Sequence, residues 1–401
     1  MKYNELVYQP QEDTHLLLDS IIKNIKNQKL NILEIGCGSG YVSINLLKEY
    51  NNLKITCTDI NKNAIKLSKE NAKENNIKIK FIESNLFENI KQEYDIIIFN
   101  PPYLPQDKLS SKHSIDTALY GGKKGYEITH QFIEQVYNNL KPNGKIFLLL
   151  CSLSKPKTSL ELLNKFNYEY KLIKQIKIFP EELFVYEIEF NEFLKEMKNK
   201  KIKTIEFISK GKKGNIYSGN LKNKKIKIKQ LIENRNNQSF VTIQNEVNLL
   251  NKLKKQSFVQ KIIENTDNYF ISSFIEGITF ESWLEKNKSK NNFKKIILKI
   301  LEICQILDIQ KIDKKEMVNP YKHILIDKKE NVYFIDFERS SICKNPKNIT
   351  QVINYFCSKK INDYFKKFNI NLNIKILNQL CKKYKKDYDE KKFKDIINNL
   401  F

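Results

Sequence analysis

The sequence has no apolar run close to the roughly 20 residues that a membrane-spanning helix requires. Its first ten residues, MKYNELVYQP, also lack the apolar core of a secretory signal peptide. Both absences argue against a membrane or exported protein. We therefore expect a cytoplasmic protein with no membrane partner.

Closely spaced cysteines are also missing. Seven cysteines are scattered along the chain, and no two of them form a CxxC pair. Disulfide frameworks and structural zinc sites both depend on such spacings. The pattern argues against a disulfide framework or a structural zinc site in this chain.

Acidic residues are few relative to basic ones, and the formal net charge is +24. A strongly basic chain can bind nucleic acid. Here the excess is almost all lysine, is spread along the chain and accompanies many Asn and Ile residues. We interpret the charge as compositional bias and keep ribosome or tRNA association as the alternative.

The 401 residues are enough for two domains. After an apolar helix within residues 1–28, predicted strands alternate with helices, which is typical of a parallel α/β sheet. The predicted strands are 31–35, 54–59, 78–83, 95–100 and 145–151, and the helices lie near 41–50, 62–75 and 126–140. Two more strands, 169–179 and 182–190, would close the sheet as an antiparallel edge.

A different pattern begins near residue 204, after the lysine-rich run 191–203. Short strands flank a glycine-rich turn at 211–219, a helix follows near 240–256, and later residues are mostly helical. Short strand signals interrupt these helices at 323–327 and 331–336. We predict three segments: a first domain (1–190), a connecting helix or linker (191–203) and a small α+β domain (204–401), with lobes 204–275 and 276–401.

The most informative stretch is 96–103, IIIFNPPY. Its β-branched residues predict a strand buried on both faces, and Pro101 and Pro102 end that strand because proline cannot continue a central strand. The strand end presents the Asn100 amide, free backbone carbonyls and the Tyr103 ring. This set suits a planar NH2 group, whose hydrogens need acceptors and whose face needs a stacking partner.

Three other loops converge on the same edge of the predicted sheet, where ligands of open α/β sheets bind. Their candidate residues are Gly36, Gly38 and Gly40 in EIGCGSG, Asp59 after the second strand, and Asn85 and Leu86 after the third. Glycines let the backbone approach a ligand, and a carboxylate can accept both hydroxyls of a ribose. The glycine loop alone fits an NAD-type dehydrogenase equally well, and NPPY favours methyl transfer.

The order EIGCGSG, TDI, NLF, NPPY resembles class I S-adenosylmethionine-dependent methyltransferases, and more narrowly the HemK family. The opening VYQPQEDTHLLLD and the later LYGGKKGYE also match that family. The absence of a helical domain before residue 1 resembles its archaeal and eukaryotic branch, which we expect here. The resemblance covers about residues 1–190. It implies a Rossmann-like domain with a seven-stranded sheet that methylates a glutamine side chain in a peptide chain release factor, often with a small zinc-containing activator subunit.

The resemblance also implies roles for the cofactor residues. The three glycines cradle S-adenosylmethionine, Asp59 holds its ribose, and Glu34 helps to fix its methionine end. Thr14 matches a residue that reaches the cofactor from the N-terminal helix. Asn85, beside Leu86, stands where the family usually has an aspartate that contacts adenine.

The catalytic assignment combines this resemblance with the chemistry of an amide. An amide nitrogen is a poor nucleophile, and accepting its two hydrogens at the Asn100 side chain and the Pro101 carbonyl would orient it and favour the developing positive charge. Tyr103 would stack on the amide plane, so Asn100, Pro101, Pro102 and Tyr103 are the predicted catalytic residues. N6 methylation of adenine in DNA or RNA makes the same demands and is the alternative.

The second half carries the parts that hold ATP phosphates and magnesium in kinases. KKEMVNPYKHILID followed by FIDFERS resembles a small archaeal family of predicted serine/threonine protein kinases, over about residues 204–357. The resemblance implies that Lys229 contacts phosphate, that Glu246 pairs with Lys229 and that Asp336 binds magnesium.

The predicted catalytic loop departs from ordinary kinases. His323 stands where the metal-binding asparagine is expected, and Val318 stands where the catalytic aspartate is expected. Phosphoryl transfer would need another base, for which Glu316 is the candidate. ATP binding without transfer, in a regulatory or docking module, is therefore the alternative.

Overall fold

A computed structural model describes residues 1–106, 116–211, 214–231 and 238–401, and the side chains within them except those of 116–117 and 238–242. The backbone divides into two compact units. One comprises Met1–Phe207 with Gly219–Asn223, and the other comprises Ile208–Ser218 with Lys224–Phe401. The division passes through the hairpin that follows the lysine-rich run.

The first unit combines a sheet with seven helices in the part of it that the structure describes. Its strands are β1 (Leu30–Ile35), β2 (Leu53–Asp59), β3 (Lys80–Glu83), β4 (Tyr94–Phe99), β5 (Leu104–Pro105), β6 (Tyr120–Gly122), β7 (Leu140–Cys151), β8 (Tyr168–Ile178) and β9 (Glu181–Phe190). Its helices are α1 (Glu12–Asn24), α2 (Tyr41–Glu49), α3 (Lys62–Glu74), α4 (Asp116–Leu119), α5 (Glu127–Gln135), α6 (Pro156–Lys165) and α7 (Glu192–Asn199).

The main sheet has seven strands in the order β3-β2-β1-β4-β7-β9-β8. The first five strands pair in parallel, and β9 and β8 form an antiparallel edge. This confirms the predicted fold. The strand order reverses between β1 and β4, and Ile35 pairs with Phe99 there. The glycine loop after β1 and the NPPY segment after β4 are therefore neighbours at the switch point, where such sheets bind ligands.

The central strands are apolar on both faces, as the sequence predicts. Ile32 and Leu33 in β1, Ile97 in β4, and Phe147 and Leu148 in β7 are all fully buried. Burying each such side chain stabilises the folded state by about 1.5–3 kcal/mol, compared with leaving it exposed to solvent. This rigid centre fixes the ends of β1 and β4, which carry the predicted site.

Three segments of the first unit differ from their predictions. The helix predicted near 126–140 ends at Gln135, and a 3-10 turn covers Val136–Asn139. Helix α6 was not predicted, because its run PKTSLELLNK has only a short apolar stripe. The run 191–203 does contain a helix, α7, as one of the two predicted alternatives, but its Leu194 and Met197 are buried, so it packs as part of the first unit.

The elements from residue 203 onward begin with short strands and end with helices. The strands are β10 (Lys203–Lys210), β11 (Gly214–Leu221), β12 (Lys224–Leu231), β13 (Ile262–Asn265), β14 (Tyr269–Ser273), β15 (Ile278–Thr279), β16 (Ile312–Asp313), β17 (Ile324–Ile326), β18 (Val332–Phe334) and β19 (Ser341–Ile342). The helices are α8 (Gln238–Lys252), α9 (Phe280–Lys286), α10 (Lys290–Ile309), α11 (Asn348–Phe356), α12 (Lys359–Lys367), α13 (Ile374–Tyr384) and α14 (Glu390–Asn398).

The larger sheet of this region has the order β10-β11-β12-β14-β13. Helix α10 is central to the helical part, because Phe293, Ile297, Leu301 and Cys304 recur at helical spacing and are fully buried. The hairpin β17–β18 matches the two short strands predicted near 323–336. No helix in the described ranges is both long enough and apolar enough to cross a membrane.

Candidate active site

The loop after β1 contains three glycines in left-handed backbone conformations. Gly36, Gly38 and Gly40 have φ angles of 64, 53 and 78°. A Cβ atom at Gly40 would also lie 3.1 Å from Cβ of Ser68, so both conformation and packing favour glycine. The Cys37 amide donates to the Thr58 carbonyl at 3.0 Å. The glycine loop is thereby tied to the end of β2.

Asp59 ends β2 and faces this loop. Its Oδ2 accepts a hydrogen bond from the Gly38 amide at 2.9 Å, and its Oδ1 accepts one from the Asn61 amide at 2.8 Å. Burial raises the pKa of Asp59, and the hydrogen bonds from these amides oppose the rise. Each carboxylate oxygen keeps a second lone pair. Asp59 can therefore hold the loop and still accept a ribose hydroxyl.

Glu34 lies in β1 and is buried. Its Oε2 accepts hydrogen bonds from the Ser43 amide at 3.2 Å, from the Ser43 hydroxyl and from the Cys57 thiol at 3.6 Å. Burial raises the pKa of Glu34 to about 7, although the bonds from Ser43 and Cys57 lower it. All three donors are neutral groups.

The loop after β3 exposes one predicted residue and buries the other. Asn85 is exposed and donates to Glu88 Oε1 at 3.0 Å. Leu86 is buried with a left-handed φ of 45°. The Ser84 hydroxyl donates to the Leu86 carbonyl at 3.0 Å, which fixes the turn.

Asn100 directly follows β4, and the nitrogen of its side-chain amide is held by a hydrogen bond. Its Nδ2 donates to Asp13 Oδ2 at 3.0 Å. Its Oδ1 is shielded from solvent and accepts no hydrogen bond from the described residues. A buried acceptor without a donor costs about 1–3 kcal/mol. Such an atom at a sheet edge indicates a place for a donor from a ligand.

Asp13 is a candidate site residue of the first unit that the sequence analysis did not single out. It is 3% exposed, and it also accepts hydrogen bonds from the Tyr8 hydroxyl at 3.1 Å and from the Thr14 amide and hydroxyl at 2.6 and 3.0 Å. The sequence presented Asp13 only as an acid at the start of a helix. Its position in the family-like VYQPQEDTHLLLD was the available signal, but the contact with Asn100 spans 87 positions.

Tyr103 is half-buried, and Tyr8 lies close to the same carboxylate. Burial raises the pKa of both phenols, and the charge of Asp13 raises each further. Both hydroxyls therefore stay protonated at physiological pH. They can stack or donate a hydrogen bond, but they are poor bases.

The LYGGKKGYE motif packs against the NPPY backbone. Strand β6 pairs in parallel with β5, which follows Tyr103. A Cβ atom at Gly121 would lie 2.3 Å from the Pro102 carbonyl oxygen, and one at Gly125 would lie 2.4 Å from the Tyr103 carbonyl oxygen. Only glycine allows this approach, so the motif supports the position of NPPY.

In the second unit, Lys229 on β12 contacts two carboxylates. Its Nζ lies 2.6 Å from Glu246 Oε2 and 3.0 Å from Glu338 Oε2. Burial alone would lower the pKa of Lys229, but Glu246, Asp336 and Glu338 outweigh it and raise that pKa. The structure thus joins the predicted Lys229–Glu246 pair and adds Glu338, which the sequence analysis did not identify.

Asp336 lies beside this pair in a left-handed conformation, with a φ of 61°. Its Oδ1 is shielded and accepts no hydrogen bond from the described residues. Burial would raise the pKa of Asp336, but the charges of Lys229 and Lys314 lower it overall. The fully buried Lys314 donates to the Asp336 carbonyl at 2.6 Å, and it too was missed.

Glu316 and His323 also lie close to Asp336. Oε2 of Glu316 is 3.6 Å from Nδ1 of His323 and 3.3 Å from Nζ of Lys314. Burial raises the pKa of Glu316 and lowers the pKa of His323. Val318, at the position expected for the catalytic aspartate, is 62% exposed.

The first site and fold define a class I S-adenosylmethionine-dependent methyltransferase. The family model "Methyltransferase small domain" matches residues 10–179, and the model "Protein tyrosine and serine/threonine kinase" matches residues 202–337. A Methanocaldococcus jannaschii protein, provisionally named a protein N5-glutamine methyltransferase, is 41% identical over 188 residues. That alignment covers 46% of this chain and 92% of the relative. The chain belongs to the family of protein N5-glutamine methyltransferases.

Two other similarities each cover less than half of the chain. The release factor glutamine methyltransferase of Lactococcus lactis is 34% identical over 154 residues, covering 37% of this chain and 57% of that protein. A solved Mtq2–Trm112 complex of E. cuniculi, described as methylating the eRF1 translation termination factor, is 24% identical with a TM-score of 0.39. That match covers 46% of this chain and 99% of the solved one.

Proposed function

We propose that the first unit transfers a methyl group to the side-chain amide nitrogen of a glutamine in a peptide chain release factor. The observation that carries this proposal is the Asn100 amide, whose Nδ2 is held by Asp13 and whose Oδ1 is buried without a donor. A glutamine NH2 group supplies the missing donor. The release factor relatives of the first unit support this class of acceptor.

The catalytic step needs a nitrogen with its lone pair turned toward the methyl donor. Asn100 Oδ1 would accept one amide hydrogen and the Pro101 carbonyl would accept the other, which orients the nitrogen and stabilises positive charge on it in the transition state. Tyr103 would cover the amide plane. Pro102 keeps the segment extended because its ring restricts the backbone.

S-adenosylmethionine, when bound, supplies the electrophilic methyl group. We assign its binding to the residues at the carboxyl edge of the sheet: Thr14, Glu34, Gly36, Gly38, Gly40, Asp59, Asn85, Leu86 and Asn100. The left-handed glycines and the buried Asp59 fit this assignment. The glycines let a ligand approach the backbone closely, and the Asp59 carboxylate lies beside that backbone.

The family resemblance also leads us to propose a partner and a location. A small zinc-containing activator subunit would assist the methyltransferase unit, and the protein would act in the cytoplasm, where release factors work. Association with the ribosome or tRNA is the alternative to compositional bias as an explanation of the lysine excess. For the functional domains we propose the predicted limits 1–190 and 204–401, while the run 191–203, predicted as a linker, packs with the first unit through α7.

Methyl transfer from labelled S-adenosylmethionine tests the acceptor class. A cognate release factor and duplex DNA are offered separately, each with and without the candidate activator. Label on the release factor that disappears when its acceptor glutamine becomes alanine supports the proposal. Label on DNA alone would overturn it in favour of adenine N6 methylation, since an exocyclic NH2 group could use the same acceptors.

We propose that the second unit binds ATP with magnesium through Lys229, Glu246 and Asp336. The buried Lys229–Glu246 contact supports this, because an ion pair in that position presents a fixed cation to phosphate. Glu316 is the candidate base for transfer. Binding of a fluorescent ATP analogue that is lost in Lys229→Met, but not in the exposed control Lys224→Met, supports nucleotide binding; equal binding by both variants would contradict it.

Transfer of the phosphate is tested separately from binding. Incubation with γ-labelled ATP and the release factor would give labelled protein if Glu316 acts as the base, and Glu316→Gln would remove that label. Binding without any label would identify the unit as a regulatory or docking module.

A further inference from the structure

Three polar side chains outside the assigned sites lie together in the second unit. Lys227 precedes Lys229 by two residues on β12, so both side chains lie on the same face of the sheet. Ser272 on β14 pairs directly with Lys227, which places its side chain on that face as well. Nζ of Lys227 donates to Oε1 of Gln260 at 3.4 Å. We call Lys227, Gln260 and Ser272 the donor cluster.

The donor cluster has hydrogen-bonding capacity that its described neighbours do not use. Gln260 is 2% exposed, and Ser272 is fully buried. Neither the amide nitrogen of Gln260 nor the hydroxyl of Ser272 has a hydrogen-bond partner within the described ranges. The free energy of folding suffers when a buried donor lacks an acceptor. The cluster therefore indicates a place for acceptor atoms of a ligand.

The position of the cluster relates it to the proposed nucleotide site. The glycine-rich turn lies at the Lys229 end of β12, since a Cβ atom at Gly214 would lie 3.6 Å from Cγ of Lys229. At the other end of the strand, the Phe274 amide donates to the Lys225 carbonyl at 3.4 Å, just after β14 ends. Lys227 lies between these two ends. A nucleotide with its phosphates at Lys229 would extend its base away from the turn, toward the cluster.

The chemistry of the cluster favours one kind of base edge. Guanine presents the acceptors N7 and O6 on that edge, whereas adenine presents the acceptor N7 and an N6 amino group that donates. A lysine side chain has N–H donors whether or not it is charged, and the Gln260 amide nitrogen is also a donor. Burial lowers the pKa of Lys227, and the charges of Glu246 and Asp336 oppose that effect. An oxo group would be held here, and an amino group would face other donors.

We propose that Lys227, Gln260 and Ser272 recognise the 6-oxo group of a purine, so that the second unit binds GTP more tightly than ATP. The inference rests on the proposed nucleotide binding and deepens it by naming the base. Lys229 would contact the phosphates of either nucleotide. The three residues of the donor cluster determine specificity for the base.

The test measures how GTP, ITP and ATP displace a ribose-labelled fluorescent ATP analogue from the full chain in the presence of Mg²⁺. ITP carries O6 where ATP carries the N6 amino group, and it lacks the 2-amino group of GTP, so it isolates recognition of the 6-position. We expect GTP and ITP each to bind about 10-fold more tightly than ATP, because matched donors and acceptors discriminate between bases by at least that order.

Two variants alter the donors. Lys227→Met keeps the length of the side chain without its N–H groups, so affinity for GTP and ITP should fall about 10-fold while that for ATP is kept. Gln260→Glu replaces the amide donor by an acceptor and should shift the preference toward ATP. The exposed Lys224→Met on the same strand is the matched control and should keep the wild-type ratio of affinities.

The ratio of ITP affinity to ATP affinity separates recognition from a structural role, because loss of packing would weaken all three nucleotides together. Fluorescence of Trp283, the single tryptophan, reports whether each variant keeps the second unit folded; if Lys227→Met is unfolded, Gln260→Glu decides the test. Equal affinities for ITP and ATP in the wild type, or an unchanged ratio in the folded variants, would overturn the inference and leave nucleotide binding intact. Failure of the wild type to bind the analogue would overturn both proposals.

Discussion

The candidate site of the first unit surrounds its buried carboxyl groups with neutral donors, whereas the candidate site of the second unit places lysines beside its own. Glu34 and Asp59 accept from a hydroxyl, a thiol and backbone amides, and burial raises the pKa of both. In the second unit, Glu246 contacts Lys229, and lysines lower the pKa of Asp336 against the effect of burial. The two sites have opposite electrostatic character.

This difference matches the ligands that the two sites are proposed to bind. S-adenosylmethionine carries a positive sulfonium, and carboxylates without an internal cation can stabilise it. ATP carries negative phosphates, which need lysines held in place before binding. None of the ion pairs in the described part of the chain involves Asp13, Glu34 or Asp59. The charge arrangement thus supports assignments that the motifs suggested separately.

The largest effect is expected from removing Asn100 Oδ1, the buried acceptor of the first unit that receives no hydrogen bond from the described residues. Asn100→Ala should lower the rate of methyl transfer by about 10²–10³-fold, because the amide hydrogen loses its acceptor in the transition state. Single-turnover kinetics with labelled S-adenosylmethionine measure the change. The exposed Asn52→Ala is the matched control, and a parent rate in Asn100→Ala would refute the mechanism.

The next effect concerns pH and distinguishes the two units. The folded pKa of Glu34, about 7, exceeds its ordinary value of 4.5. Its contribution to stability is complete below pH 4.5 and is lost as the pH rises through about 7, by on the order of 3 kcal/mol. The pKa of Asp336 is lowered, so its contribution is lost as the pH falls through that lowered value.

Urea unfolding at pH 5 and pH 8 spans the pH range in which Glu34 loses its contribution and lies above the range of Asp336, so only the first unit should lose stability between them. Trp283 follows the second unit, and the circular dichroism transition that S-adenosylhomocysteine shifts follows the first. Glu34→Gln should flatten the pH dependence of the first unit and leave that of the second unchanged. An unaltered slope in Glu34→Gln would show that another group governs the first unit.

A smaller effect is expected from the residue that orients Asn100. Asp13→Asn replaces an acceptor by a group that can also donate, so the Asn100 amide is no longer held in one orientation. We expect kcat to fall about 10-fold, since one hydrogen bond to a charged group is worth about 1.5–3 kcal/mol and part of it persists. The affinity for S-adenosylmethionine should be retained. A loss confined to cofactor affinity would contradict a positioning role.

The smallest effect is expected from Glu338, whose carboxylate would compete with ATP phosphate for Lys229 in the second unit. Glu338 contacts Lys229 at 3.0 Å, where it competes with a phosphate for the same ammonium. Glu338→Gln should therefore raise the affinity for ATP by a few-fold. Titration with a fluorescent ATP analogue measures it, with the exposed Glu285→Gln as control. Weaker binding in Glu338→Gln would indicate that Glu338 supports the nucleotide site instead.

The parts of the molecule that were predictable from sequence depend on local patterns. The runs of Ile and Leu in β1 and β4, the glycine loop and the NPPY segment each fix a conformation through residues that are adjacent in the chain. The alternation of strands and helices then limits the sheet order, because parallel crossovers are right-handed and short. These rules limit the strand order without fixing it, and the family resemblance implied the Rossmann-like seven-stranded sheet.

The parts that were not predictable depend on contacts between distant residues. Asp13 and Asn100 are 87 positions apart, and Lys229 and Glu338 are 109 positions apart. No periodicity marks Glu338 or the buried Lys314 as partners in a site. The packing of α7 was also missed, because a lysine-rich run conceals the apolar stripe that buries Phe193, Leu194 and Met197.

The central claim is that Asn100 presents an acceptor to a glutamine amide, and tandem mass spectrometry of the acceptor protein tests it most directly. A cognate release factor is incubated with S-adenosylmethionine, the candidate activator and either the wild type or Asn100→Ala. We predict one added methyl group on the side-chain nitrogen of a single glutamine with the wild type, and an unmodified glutamine with the variant. Methyl groups at another residue type, or equal modification by both proteins, would contradict the account.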